Sequence, residues 1–123
     1  MLVTPIASED DEGCAVHLVL GRTYEVLGIE ADDYRVLTDA DARFNPNDPV
    51  LYSSSVFAVL DPAEPSFWIS ELGADGERYA YPACWAGHFF EDYHNGVQQV
   101  RERFWNDLRQ LYPDTWRRAR GYN

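Results

Sequence analysis

The spacing of apolar residues changes at Pro82, and this change constrains the fold more than any other feature. Before Pro82, short stretches rich in β-branched and aromatic residues alternate with polar ones and are separated by turn-forming residues, which is typical of antiparallel strands. After Pro82, apolar residues recur at spacings of three and four, which is typical of amphipathic helices. The sequence therefore predicts an α+β fold, with a β part over residues 14–82 and a helical part over 83–123.

Turn signals divide the β part into short strands. Residues 31–33 predict the turn of one hairpin, and Asp75-Gly76 predicts the turn of a second. A run of three serines predicts a bend between two further strands, and 40–49 and 61–66 read as loops. Strands are predicted at residues 14–21, 22–30, 33–39, 50–52, 56–60, 67–72 and 77–82.

Strand spacing and turns over residues 20–82 resemble those of SH3-like small barrels. The resemblance implies a small curled antiparallel sheet or a closed SH3-like barrel. It implies little about function, because such barrels carry many unrelated activities.

The helical part contains two strong patterns. Trp85, Phe89 and Tyr93 recur every four residues and predict a helix over 84–94. The apolar residues from Val97 to Leu111 predict an amphipathic helix over 97–111, which Pro113 ends because proline clashes with the preceding turn. The segment 115–120 predicts a last helical turn.

Length and composition predict one domain with a hydrophobic core. The chain has 123 residues and eighteen aromatic rings, so it can bury a large apolar area. The acidic residues 1–13 predict a flexible N-terminal segment. Neither a signal peptide nor an apolar run long enough to span a membrane is visible, so we expect a cytoplasmic protein in which Cys14 and Cys84 are reduced and buried.

Negative charge dominates the chain. The net charge is −11, and residues 1–100 carry 18 acids against four arginines. Such a surface repels nucleic-acid phosphates and favours basic protein partners. Lysine is absent, which we interpret as the coding bias of a G+C-rich bacterial genome. The six arginines of residues 101–123 suggest self-association through this Arg-rich C-terminus.

These properties favour an acidic, non-catalytic protein-binding module. In size and charge the chain resembles bacterial immunity proteins and nuclease inhibitors, a likeness of bulk properties that implies neutralisation of a basic partner. Acids in loops and turns, with neighbouring aromatic residues as anchors, are the predicted contacts: Asp32, Asp33, Tyr34, Asp61, Glu64, Trp68, Asp75 and Glu77. An accessory domain with no ligand is an alternative.

The segment HFFEDYH, residues 88–94, offers a second alternative, a small metal-dependent enzyme. On a helix, His88, Glu91 and Asp92 would share one face, and imidazole with carboxylates is a ligand set that suits iron or manganese. The same face borders the aromatic stripe, so we favour boundary residues beside a core and expect no cofactor. No nucleophile elbow or phosphate-binding motif accompanies the segment.

Overall fold

The computed structural model describes residues 1–121 and has an α+β architecture, as the sequence predicts. Two antiparallel sheets are followed by three helices. The strands are β1 (Leu2–Pro5), β2 (Tyr24–Glu25), β3 (Gly28–Glu30), β4 (Asp33–Leu37), β5 (Pro49–Tyr52), β6 (Phe57–Asp61), β7 (Trp68–Leu72) and β8 (Arg78–Pro82). The helices are α1 (Phe89–His94), α2 (Gln98–Leu111) and α3 (Pro113–Ala119), and short 3-10 helices span Ser54–Val56 and Ala83–Trp85. No helix within residues 1–121 has the length and apolar character that crossing a membrane requires.

The two sheets do not close into the barrel that the SH3-like resemblance allowed. One sheet has the order β2-β1-β6 and the other β5-β4-β3-β8-β7. The chain changes sheets between β2 and β3, where Val26 donates its N–H to the Met1 carbonyl (2.9 Å) and Leu27 donates to the Arg35 carbonyl (2.8 Å). Because these two neighbouring residues bond to different sheets, the ladder of backbone hydrogen bonds is interrupted there and does not continue around a barrel.

The N-terminal part differs most from prediction. Within the segment predicted to be flexible, Leu2–Pro5 form β1, which is the central strand of the three-stranded sheet, and Val3 is fully buried. Residues 14–21 form no strand. Apart from an isolated bridge between Glu9 and Ala15 they are loop, and the Val19 N–H donates to the Tyr24 hydroxyl (3.0 Å). β2 therefore pairs with β1, and not with a strand formed by residues 14–21.

Both predicted hairpins are confirmed. β3 and β4 are joined by Ala31 and Asp32, which have φ of 49° and 66°. Two consecutive left-handed residues give the turn whose twist matches that of the strands. β7 and β8 pair from Trp68–Pro82 to Leu72–Arg78 across the GADG segment, and the predicted serine bend between β5 and β6 is the 3-10 helix at Ser54–Val56.

The helix predicted over 84–94 is two shorter elements. Gly87 adopts φ of 68°, a left-handed conformation that separates the 3-10 helix from α1. The helix predicted over 97–111 is confirmed as α2. Pro113 ends α2 and also occupies the first turn of α3, where a missing N–H costs nothing.

Two hydrophobic cores lie on the two sides of the five-stranded sheet. The first joins the two sheets and contains Val3, Val16, Tyr24, Val26, Ile29, Val36, Val56, Phe57 and Ala80. The second joins the sheet to the helices and contains Leu27, Leu37, Trp85, Phe89, Phe90, Tyr93, Phe104, Leu108 and Tyr112. Val26 and Leu27 thus enter different cores, as strand alternation requires.

A hydrogen-bonded bridge joins the helices to the sheet. The Tyr112 hydroxyl accepts a hydrogen bond from the indole N–H of Trp68 (2.7 Å) and donates one to the Leu27 carbonyl (2.8 Å). Leu27 is fully buried, so its carbonyl has no water to replace this donor.

We expect Tyr112→Phe to lower the free energy of unfolding by about 1–3 kcal/mol, because it leaves the buried Leu27 carbonyl without a donor. Urea denaturation followed by fluorescence measures the loss. Tyr79→Phe is the matched control, since Tyr79 is half-buried in β8 and its hydroxyl has no hydrogen-bond partner in the described part of the chain. Equal losses in the two variants would contradict the bridge.

Candidate acidic binding site

Four carboxylates converge on one side of the molecule from two segments that are distant in sequence. Asp10, Asp11 and Glu12 come from the loop after β1, and Asp33 comes from the first position of β4. We call these four residues the acidic cluster. They line a shallow cavity of about 370 Å³ together with Leu51, Tyr52 and Ser53.

Local hydrogen bonds give the loop of the acidic cluster its shape. The Asp10 carboxylate accepts from the backbone N–H groups of Glu12 and Cys14, both at 2.9 Å. The Asp11 carboxylate accepts from the Ser55 hydroxyl (3.2 Å), which ties the loop to the 3-10 helix before β6. Asp10 therefore forms the turn, and the turn sets the positions of Asp11 and Glu12.

The acidic cluster lacks compensating positive charge. In the described chain none of its four carboxylates forms an ion pair with an arginine. Burial, and then the neighbouring Asp32 carboxylate, raise the pKa of Asp33. A carboxylate without an ion-pair partner can accept hydrogen bonds from a guanidinium or ammonium group.

Most of the acids predicted as partner contacts form hydrogen bonds within the protein. The Asp32 carboxylate accepts from the Arg78 backbone N–H (3.0 Å), and Asp61 accepts from the Ala63 N–H (2.9 Å). Two nitrogens of the Arg78 guanidinium donate hydrogen bonds to the Glu64 carboxylate, and this hydrogen bonding lowers the pKa of Glu64.

The second hairpin tip uses its acids in the same way. Glu77 accepts from the backbone N–H of Asp75 (2.9 Å) and thereby shapes the turn between β7 and β8. The structure thus brings Asp32 and Glu64 together at Arg78. It leaves Asp61, Asp75 and Glu77 in their own turns, and of the acids predicted as contacts only Asp33 lines the acidic cavity.

The two aromatic residues predicted as exposed anchors are half-buried instead. Tyr34 packs against the first core, with its ring centroid 5.9 Å from that of Phe57. Trp68 also packs there and donates its indole N–H to Tyr112. Tyr52 is the aromatic residue that lines the acidic cavity.

The HFFEDYH segment brings two of its three ligand candidates, His88 and Glu91, into contact. His88 is the N-cap residue of α1, which carries Glu91 and Asp92. Its Nδ1 lies 2.9 Å from a Glu91 carboxylate oxygen, and both side chains are exposed. Asp92 donates its backbone N–H to the His88 carbonyl. No group of three His, Cys, Asp or Glu side chains within residues 1–121 is placed to hold a metal ion.

Both cysteines are exposed and unpaired, so the prediction of buried thiols is wrong. Partial burial of the thiol and the nearby Asp107 carboxylate raise the pKa of Cys84. A raised pKa leaves less thiolate at neutral pH and therefore makes a nucleophilic role unfavourable.

Sequence reasoning missed Asp10, Asp11, Glu12 and Tyr52 as members of one site. The acidic run was interpreted as part of a flexible end, although Asp-Asp-Glu-Gly is also a turn sequence, and Gly13 does adopt φ of 79°. Nothing local in the sequence indicates that this turn lies beside Asp33.

Neutralising Asp33 should stabilise the fold, because burial and the Asp32 charge disfavour its ionised form. We expect Asp33→Asn to raise the free energy of unfolding by about 0.5 kcal/mol at pH 7 and low salt, the size of an ordinary surface charge interaction. Because the pKa of Asp33 is raised in the folded state, the wild type recovers this stability as the pH falls through that pKa. Urea denaturation from about pH 7 to about pH 3 should therefore show the difference vanish.

The control for this prediction is Asp114→Asn. Asp114 is exposed, lies outside the acidic cluster and pairs with Arg117 at 3.1 Å, so its neutralisation should give no gain. A gain of the same size in both variants would contradict a cost that arises from the burial of Asp33 and from the neighbouring Asp32 charge.

Comparison with known proteins supplies no relative from which a role could be carried over. No protein-family model, no curated protein and no solved structure matches this chain. Its function must therefore be argued from its own geometry.

Proposed function

We propose that this protein is an acidic, non-catalytic protein-binding module and that the acidic cluster binds arginine or lysine side chains of a basic partner. The observation that supports the proposal is that four carboxylates line one cavity and that none of them pairs with an arginine of residues 1–121. Elsewhere the chain pairs carboxylates with its arginines, as at Arg22–Asp39 and Arg78–Glu64.

The site is well prepared for a cation. Asp33 is held by the pairing of β4 with β3 and β5, and Asp10 fixes the loop that carries Asp11 and Glu12. Fixed carboxylates lose little conformational freedom on binding, which leaves more of the interaction energy as affinity. The ring of Tyr52 adds apolar area against which the stem of an arginine or a lysine can pack.

The charge of the whole chain acts in the same direction. A net charge of −11 attracts a cationic protein from beyond contact distance and accelerates the encounter at low ionic strength.

The size and charge of the chain suggest a class of partner. Bacterial immunity proteins and nuclease inhibitors are similar to this chain in size and charge, so we infer an inhibitor that covers the basic surface of a cytoplasmic enzyme. Two exposed, unpaired thiols are compatible with a reducing compartment. An accessory domain that binds nothing is the competing interpretation.

A defined cationic probe separates these interpretations. Calorimetric titration with an octa-arginine peptide should show saturable binding that weakens with added salt. The variant Asp11→Asn/Glu12→Gln/Asp33→Asn should bind at least about tenfold more weakly, since it removes three charge-assisted hydrogen-bond acceptors. Asp10 is left intact because it shapes the loop.

The matched control is Asp41→Asn/Glu71→Gln/Asp75→Asn. It makes the same change in net charge with exposed acids outside the acidic cluster. Its affinity should remain within about twofold of wild type. Equal weakening in both triple variants would mean that only total charge matters, and no binding to the wild type would favour the accessory domain.

A further inference from the structure

A cleft between α2 and α3 carries the opposite charge to the acidic cluster. It has a volume of about 400 Å³ and is lined by Trp105, Asn106, Arg109, Trp116 and Arg120. Each arginine lies over an indole: the Arg109 guanidinium carbon is 4.9 Å from the Trp116 ring centroid, and that of Arg120 is 4.7 Å from Trp105. The two cations therefore face one space from two helices.

No acid among residues 1–121 pairs with either guanidinium. Arg109 and Arg120 form no hydrogen bond and no ion pair with any of residues 1–121 beyond the contacts with the indoles. Most other arginines are engaged. Arg22, Arg35, Arg78 and Arg117 form ion pairs, and Arg101, Arg103 and Arg118 donate to backbone carbonyls.

The acids of the two helices are also occupied. Glu102 accepts from the Gln98 amide (3.1 Å), Asp107 accepts from the Trp85 indole (3.1 Å), and Asp114 pairs with Arg117 (3.1 Å). Within residues 1–121 the cleft is therefore lined by two arginines and by no acid.

The placement of each guanidinium over an indole suits an oxyanion. The N–H donors of a guanidinium lie in one plane, as a fork that matches the oxygens of a carboxylate or phosphate. The indole limits its rotamers, so less freedom is lost when a carboxylate or phosphate is bound by the fork of donors. The Asn106 side-chain amide also lines the cleft and can donate a further hydrogen bond to an anion.

We propose that this cleft is a binding site for the oxyanion of a small molecule, a carboxylate or a phosphate group. A small ligand is favoured over an anionic macromolecule because the body of the protein is strongly negative. A second copy carries −11 as well, and nucleic acid carries a charge on every phosphate, so both are repelled over a wide area. The site is separate from the acidic cluster and does not depend on the function proposed above.

The same contacts reduce the case for self-association through the C-terminal arginines. Arg117 is paired with Asp114, and Arg118 donates to the Leu37 carbonyl (3.2 Å). Of the three arginines near the end of the chain, only Arg120 lines the cleft.

The test is NMR titration of the full chain, with the Trp105 and Trp116 indole N–H signals as reporters. The probes are pyrophosphate for phosphate and citrate for carboxylate, each at an ionic strength matched with sodium chloride. Saturable shifts of both indole signals with either probe support the site, and the tighter probe identifies the ligand class. No saturable shift with either probe would overturn the proposal.

Variants assign the binding to the two guanidinium groups. Arg109→Gln and Arg120→Gln should each weaken the tighter probe about tenfold, the loss of one charge-assisted contact. Arg120→Lys keeps the charge but lacks the fork, and should also weaken binding. Arg43→Gln is the matched control, because Arg43 also stacks on an aromatic ring, Phe44 at 5.4 Å, and lies outside the cleft.

Two outcomes of the variant series would contradict the assignment. Equal weakening by Arg43→Gln would show that the anion responds to overall charge alone. Indole shifts that depend on protein concentration without added anion, together with a dimer in sedimentation, would place a second copy in the cleft in place of a small molecule.

Discussion

The hydroxyl group of Tyr112 is the contact on which the joining of sheet and helices depends. It donates to the buried Leu27 carbonyl and accepts from the Trp68 indole, so one atom connects the end of α2 to the crossing between the sheets and to β7. The second core closes around the same residue, with Trp85 stacked on the Tyr112 ring at 5.7 Å. A buried carbonyl needs a hydrogen-bond donor, and the packing of the aromatic residues sets the position of the Tyr112 hydroxyl.

Arginine in this protein is mainly a structural residue. Arg35 is buried, pairs with Glu30, donates to the Pro49 carbonyl (2.9 Å) and lies over the Phe90 ring at 3.7 Å, so it joins the five-stranded sheet to α1. Because most arginines act internally in this way, few remain to balance the surface acids. In the described part of the chain, the acidic cluster and the cleft between α2 and α3 each gather charges of one sign that have no ion-pair partner, and for that reason both are interpreted as binding sites.

Local signals predicted the elements that local interactions form. The Asp-Gly turn, the turn at 31–33 and the apolar spacing of α2 each depend on residues near one another in the chain, and each is confirmed. Predictions failed where the outcome depends on a distant partner. Residues 14–21 have strand-like composition but form a loop, in which the Val19 N–H donates to the Tyr24 hydroxyl. The Trp68 indole donates to Tyr112, a tyrosine far along the sequence. Among the predicted contact acids, the use of Asp32 and Glu64 by Arg78 is likewise a long-range event.

The sequence by itself determined the α+β class, the excess of negative charge and the amphipathic helix of residues 97–111, because composition and periodicity act over short distances. Only the tertiary structure decided which charges remain unneutralised. Asp33 meets Asp10, Asp11 and Glu12 through the pairing of strands and the fold of a loop, and Arg109 meets Arg120 through the packing of α3 on α2. Charge interactions depend on distance in space, and that distance is set by the cores, not by separation along the chain.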